Sequence, residues 1–270
     1  EIAYAIKNHP NEYDQYVKNA MKQGLRYPDA CNQALSLLLN KSIQTPNDLL
    51  GLGYVKEVIE NDYPITLHCI KRSNDYHDTT LTKIASATAL RKALKEKQDV
   101  HDYLLDMSYY DSLYHQNDFF DYLKYQIIIQ SPTQLKKIHL VDEGIENLLK
   151  KVIFDTNSYE ELVNSLTSKR YTKTRIQRML LHILMNNTKD EIKNCFPIDY
   201  IHVLKMNQKG QKYLKTIKKT CSYHIITNLS SYKHPALDLE IKSSKLLSLI
   251  DHQMIKKEFQ NIPVIELSKR

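Results

Sequence analysis

Apolar positions follow two rhythms along this chain. In Asp29 to Asn40, Ala34, Leu35, Leu38 and Leu39 fall on one face at the helical period, and Tyr13 to Gln23 is expected to form a neighbouring helix. Thr45-Pro46-Asn47-Asp48 is a helix start: a hydroxyl cap, a first-turn proline and an acidic residue three places after the cap precede Leu49, Leu50, Leu52 and Tyr54. After Asn61-Asp62 the rhythm changes. Ile65 to Ile70 alternates and is poor in helix formers, which predicts a strand ending at Lys71-Arg72. A polar loop from Ser73 to Thr82 then leads to a helix start at Ile84-Ala-Ser-Ala-Thr-Ala-Leu-Arg, with Ser86 at the cap.

From Asp99 to Lys193 the pattern is helical throughout. Helices are expected over Phe119 to Gln130, from Ser131-Pro132, and over Glu143 to Phe154, Tyr159 to Leu166 and Thr174 to Asn186. The remainder is mixed, with strand-like runs at Tyr200 to Leu204 and His224 to Thr227 around the lysine-rich helix Lys209 to Lys219. The expected organisation is an α/β region over 1–98, a helical lobe over 99–195 and a small α/β region over 196–270.

Composition narrows the functional classes. The 270 residues, 42% of them hydrophobic, can bury a substantial core. The 38 basic against 31 acidic residues give +7, a balance that permits binding to polyanions without requiring it. No apolar run approaches the roughly 18 residues of a membrane span, and Glu1 to Asn8 reads as the middle of a domain, not a signal peptide. Cys31, Cys69, Cys195 and Cys221 form no Cys-x-x-Cys pair, so a reducing cytoplasm fits best. His77 stands between Asp75 and Asp78, but no second His or Cys keeps ligand spacing, and no metal site is expected. A Ser/His/Asp or Cys/His nucleophile arrangement is not legible either.

Two places carry candidate chemistry. Ser86 and Thr88 at a helix N-terminus, with Arg91 one turn in and Arg72 at the end of the expected strand, could hold phosphates, because unpaired N–H groups and a guanidinium both attract anions. The plainer reading makes Ser86 a cap and Arg91 a surface residue. The second place is Ser168 to Arg178, where Lys169, Arg170, Lys173, Arg175 and Arg178 occur with no acidic residue. Ile176, Met179, Leu180, Ile183 and Leu184 would turn one face inward and leave Arg175, Arg178 and His182 together on another. Such a stripe can hold RNA phosphates while Tyr171 stacks on a base; the alternative is a solvated basic face. Lys209, Lys212, Lys215, Lys218 and Lys219 form a second patch open to the same two readings.

Five ordered blocks resemble the tRNA(Met) cytidine acetate ligases, within the His-x-Gly-His nucleotidylyltransferase superfamily. They are Thr45-Pro-Asn-Asp-Leu-Leu-Gly-Leu-Gly-Tyr-Val-Lys, Ile70-Lys-Arg, Asp75-Tyr-His-Asp, the Ile84 to Leu94 helix start, and Lys169-Arg-Tyr-Thr-Lys-Thr-Arg-Ile-Gln-Arg through Leu184. Weaker similarity runs through Glu143-Gly-Ile-Glu-Asn, Val203-Leu-Lys-Met-Asn-Gln-Lys-Gly and Ile225-Ile-Thr-Asn-Leu-Ser. The resemblance implies the C-terminal part of a Rossmann-like nucleotidylyltransferase domain followed by the helical lobe. It implies activation of acetate by ATP, with its Mg2+, to acetyl-adenylate, then acetyl transfer to the wobble cytidine of elongator tRNA(Met), giving N4-acetylcytidine. ATP contacts carry over to Asn47 and Arg72, and by the wider motif to Ser86, Thr88 and Arg91. Asn47 offers a donor and an acceptor to a base or ribose edge, although a helix-start cap is its plainer reading. The family's His-x-Gly-His motif has no counterpart in the 270 residues, and the resemblance places it in an N-terminal segment missing here. The chain alone is thus expected to bind tRNA without activating acetate. A non-catalytic RNA-binding protein and a nucleotidylyltransferase acting on a small metabolite are the competing readings.

Overall fold

The structure is a computed structural model that describes residues 2–43, 46–70, 78–103, 114–168 and 171–260. It divides into two compact units, Glu1–Leu113 and Tyr114–Arg270.

In the first unit, α1 (Ile2–Asn8), α2 (Pro10–Lys22), α3 (Tyr27–Leu39) and α4 (Pro46–Glu60) surround one core, with α2 packed along α3 and α1 against α4. Ala20, Ala30 and Ala34 are buried between α2 and α3, and their small size lets the two backbones approach. The turn between these helices requires Gly24. Its φ of 89° lies in the left-handed region, its N–H donates to Met21 O at 3.0 Å, and the Leu25 N–H reaches back to Ala20 O at 3.2 Å. This double closure satisfies the last carbonyls of α2. At the end of α4, Lys7 Nζ donates to Ile59 O at 2.7 Å and meets Asp62 at 2.8 Å, tying α1 to the helix end. A shorter helix, α5 (Ala87–Lys95), buries Ala89 and Ala93.

One expectation fails here. The Ile65 to Ile70 segment is exposed throughout and belongs to no strand, and the described part of the first unit is helical where α/β character was expected. Alternation alone cannot make a strand, because its backbone N–H and C=O groups need a neighbouring strand; among the described residues of this unit none is present.

The second unit is built on α6 (Phe120–Ile129), α7 (Pro132–Leu135), α8 (Ile145–Val152), α9 (Tyr159–Leu166) and α10 (Lys173–Leu184). Their shared core includes Leu123, Ile127, Leu149, Leu162, Ile176, Met179 and Leu180, all essentially solvent-free. Ser131 and Thr188 each close a reciprocal capping box, which sets the starts of α7 and of α11 (Lys189–Asn194). Beyond them, β1 (Tyr200–His202) and β2 (His224–Ile226) pair in parallel, with Tyr200 opposite His224 and His202 opposite Ile226. Parallel neighbours need a crossover. It is supplied by α12 (Gln208–Ile217), and α13 (Pro235–Leu247) and α14 (Met254–Gln260) follow, beside a small core of Ile226, Leu229 and Leu237.

Candidate functional site

Of the residues expected to face a nucleotide, Asn47, Ser86, Thr88 and Arg91 are described, and they stand on or at the start of two helices of the first unit. Asn47 is the second residue of α4 and is exposed. Ser86 caps α5: its Oγ accepts from Ala89 N at 3.0 Å and donates to the Asp78 carbonyl at 2.5 Å, and the residue is buried. Both hydrogen-bonding roles of the hydroxyl are thus taken within the protein. Asp78 is itself drawn in, its carboxylate held below the usual range by the Thr80 hydroxyl at 2.6 Å and the Thr80 N–H at 2.9 Å. Thr88 and Arg91, three residues apart on α5, are both exposed, and Arg91 makes no ion pair among the described residues. Any anion at this helix start would therefore meet Thr88, Arg91 and backbone N–H groups. Thr45, Arg72 and the Asp75-Tyr-His part of the third block lie outside the described residues.

Lys173, Arg175 and Arg178 of the basic stripe belong to α10. Thr172 caps it, accepting from Arg175 N at 3.3 Å, and Ile176, Met179, Leu180 and Ile183 are buried as the spacing predicts, with Leu184 packed beside them. Lys173 and Arg178 are exposed, and Arg175 and His182 are half-buried. Lys169 and Arg170 lie outside the described residues. Tyr171 is more constrained than a free stacking ring. Its hydroxyl donates toward Asp142 O at 3.1 Å and Glu143 Oε2 at 2.9 Å, and the Arg175 guanidinium lies 4.7 Å from the ring centroid. Lys173 lies 3.8 Å from Glu160.

Sequence reasoning missed the neighbourhood of His182. Its ring meets His139 edge-on at 4.7 Å, and Asn187 Nδ2 lies 3.3 Å from its Nδ1. Burial, reinforced by His139 and Arg178, pushes its pKa down to about 4, so the ring is neutral at pH 7 and does not add to the stripe's charge. The spacing placed His182 beside Arg178 correctly; no sequence signal pointed to His139, 43 residues upstream. Among the described residues no helix is long and apolar enough to cross a membrane.

Comparison with known proteins defines the class. The model of the HIGH Nucleotidyl Transferase family matches residues 1–261, and the chain belongs to that family. Its relatives include the tRNA(Met) cytidine acetate ligases of Geobacillus sp. (strain WCH70), 36% identical over 98% of this chain and 72% of that protein, and of Bacillus subtilis (strain 168), 34% identical over 96% and 68%. The resemblance carried by the five sequence blocks thus extends along nearly the whole chain. Among solved structures, apo Thermotoga maritima TmcAL matches with a TM-score of 0.78 and 25% identity, covering 97% of this chain and 72% of that one. The same protein bound with alpha-thio ATP gives 0.77 at 23% identity over the same shares. The fold is accordingly of nucleotidyltransferase type, mostly helical with a small parallel sheet.

Proposed function

We propose that this chain works in an ATP-dependent tRNA(Met) cytidine acetate ligase. The supporting observation is identity of 36% across 98% of the chain to a protein of that name. In this reading an acetate oxygen attacks the α-phosphorus of ATP and displaces pyrophosphate. The exocyclic amine of the wobble cytidine of elongator tRNA(Met) then attacks the acetyl carbonyl, AMP leaves, and a proton is released, leaving N4-acetylcytidine. Residues 1–98 supply the nucleotide side, where Asn47 reads the nucleoside and Arg72, Thr88 and Arg91 meet phosphates accompanied by Mg2+. Ser86 then acts by holding the α5 start in place. Residues 99–195 hold tRNA through Lys169, Arg170, Lys173, Arg175 and Arg178, and 196–270 form a small α/β region. The setting is the cytoplasm, where tRNA is found.

In this reading the 270 residues, which contain no His-x-Gly-His, take the substrate-holding share of this chemistry. Filter binding of elongator tRNA(Met) across a salt series, beside acetate-dependent ATP–pyrophosphate exchange, tests both halves. Binding should weaken steeply with salt, Arg178→Glu should flatten that dependence, and exchange should be absent at any salt. Undetectable or salt-independent binding would remove the α10 stripe from the RNA path. Acetate-dependent exchange by this chain alone would show that its catalytic groups lie elsewhere in these residues.

A further inference from the structure

The charge of this protein is concentrated in one supersecondary unit. From Tyr200 to Leu237 there is no Asp or Glu, and the run carries Lys205, Lys209, Lys212, Lys215, Lys218, Lys219 and Lys233. Those seven lysines equal the formal charge of the whole chain, +7; the other 232 residues hold 31 basic and 31 acidic side chains and are neutral overall. Six of the seven, all but Lys233, lie in the β1–α12–β2 crossover.

The packing of α12 decides which way this charge faces. Gln211, Leu214 and Ile217 are half-buried and mark the inner side, and no α12 residue is fully buried. Lys209, Lys212, Tyr213 and Thr216 share the opposite side at three- and four-residue spacing, and all four are exposed; Lys215 borders them. Tyr213 is 63% exposed. Among the described residues none of Lys209, Lys212, Lys215, Lys218 and Lys219 makes an ion pair. Holding so many like charges together without compensation favours an external polyanion.

We propose that the outer face of α12 is a second RNA-binding surface, in which Lys209, Lys212 and Lys215 meet successive phosphates and Tyr213 stacks on an unpaired base. The RNA partner rests on the function proposed above; the surface is carried by a different helix from the α10 stripe. An anionic membrane fits less well. The apolar residues of α12, Leu214 and Ile217, turn inward, and an interfacial helix would need its apolar side free to enter the lipid. A tyrosine ring among lysines is instead the pairing that holds single-stranded nucleic acid.

The test measures binding of the whole chain to a 15-nucleotide oligouridylate and to elongator tRNA(Met), each over a salt series. Lys209→Glu/Lys212→Glu/Lys215→Glu should lower the magnitude of the oligouridylate salt slope by about 2, at about 0.7 for each phosphate that is no longer neutralised. Tyr213→Ala should weaken oligouridylate binding roughly 5- to 150-fold, and Tyr213→Phe should restore it. Circular dichroism of each variant should match that of the parent, and since α12 contributes nothing to a buried core, failure to fold is not expected. Parent-like oligouridylate binding by the triple variant, or none by the parent, overturns the proposal. So does loss in the triple variant of binding to phosphatidylserine vesicles with RNA binding intact. Arg178→Glu separates the two readings: if it alone weakens tRNA binding, the α10 assignment stands and the α12 surface falls. If the α12 variants alone do so, the reverse holds.

Discussion

The two basic helices of the second unit, α10 and α12, carry similar charge on opposite foundations. In α10 the inner face is fully buried, and the polar groups around its start are tied down: Arg175 lies over Tyr171, Tyr171 is bonded to the 142–143 loop, and Lys173 approaches Glu160. In α12 no residue is buried and its lysines have no acidic partners among the described residues. Arg175 and Lys173 are therefore part of the architecture as well as candidate contacts, and substituting them perturbs both, whereas Arg178 is exposed. On α12 the charges can be changed with little effect on the fold. Three basic residues on each helix thus conceal very different tolerances to mutation.

The contrast is most directly attacked through the inner faces. Leu180→Ala, which opens a cavity in the main core, should destabilise the protein by about 2–5 kcal/mol, whereas Leu214→Ala on the half-exposed inner side of α12 should cost far less. Urea denaturation of the two variants makes the comparison; equal losses would mean that α12 is anchored as firmly as α10. Next in size is the cap of α10. Thr172→Ala removes the acceptor for Arg175 N and should cost about 1 kcal/mol by the same measurement, with Thr172→Ser retaining most of it. The smallest effect comes from His182. Its folded pKa of about 4 lies below the ordinary value of 6.5, so the unfolded chain takes up the proton first as pH falls. Stability should be fully present above about pH 6.5 and decline toward pH 4, and His182→Gln should flatten that decline in a series of thermal midpoints. The ring is half-exposed, and solvent screening keeps the effect modest.

Helices with a sharp apolar face were legible in the sequence. Tyr159 to Leu166 agrees with α9 at both ends, and the inward residues of α10 were identified individually. Periodicity reports a face, and a face requires only local residues. The strand expected at Ile65 to Ile70 shows the opposite case, since strand formation depends on a neighbour that six residues cannot reveal. The short runs at Tyr200 and His224 did become strands, because the lysine-rich helix between them returns the chain in parallel. At the start of α5 the Ser86 cap was visible in the residues themselves, yet the second bond of its hydroxyl, to the Asp78 carbonyl eight residues back, was not. Nothing in the local sequence distinguishes a serine that faces a ligand from one turned toward its own loop.

The parallel pair has a consequence for how the molecule opens. Three rungs join residues 24 apart in sequence, on a core of Ile226, Leu229 and Leu237, while α6 to α10 share a far larger one. The crossover therefore belongs to the low end of the local stability range, where amide protons exchange through sub-global opening without unfolding of the helical core. Loss of the rungs would release β1, α12 and β2 together, scattering lysines that the closed unit keeps in register. A ligand that recognises their spacing selects the closed form, so binding on α12 and amide protection in β1 and β2 are thermodynamically linked.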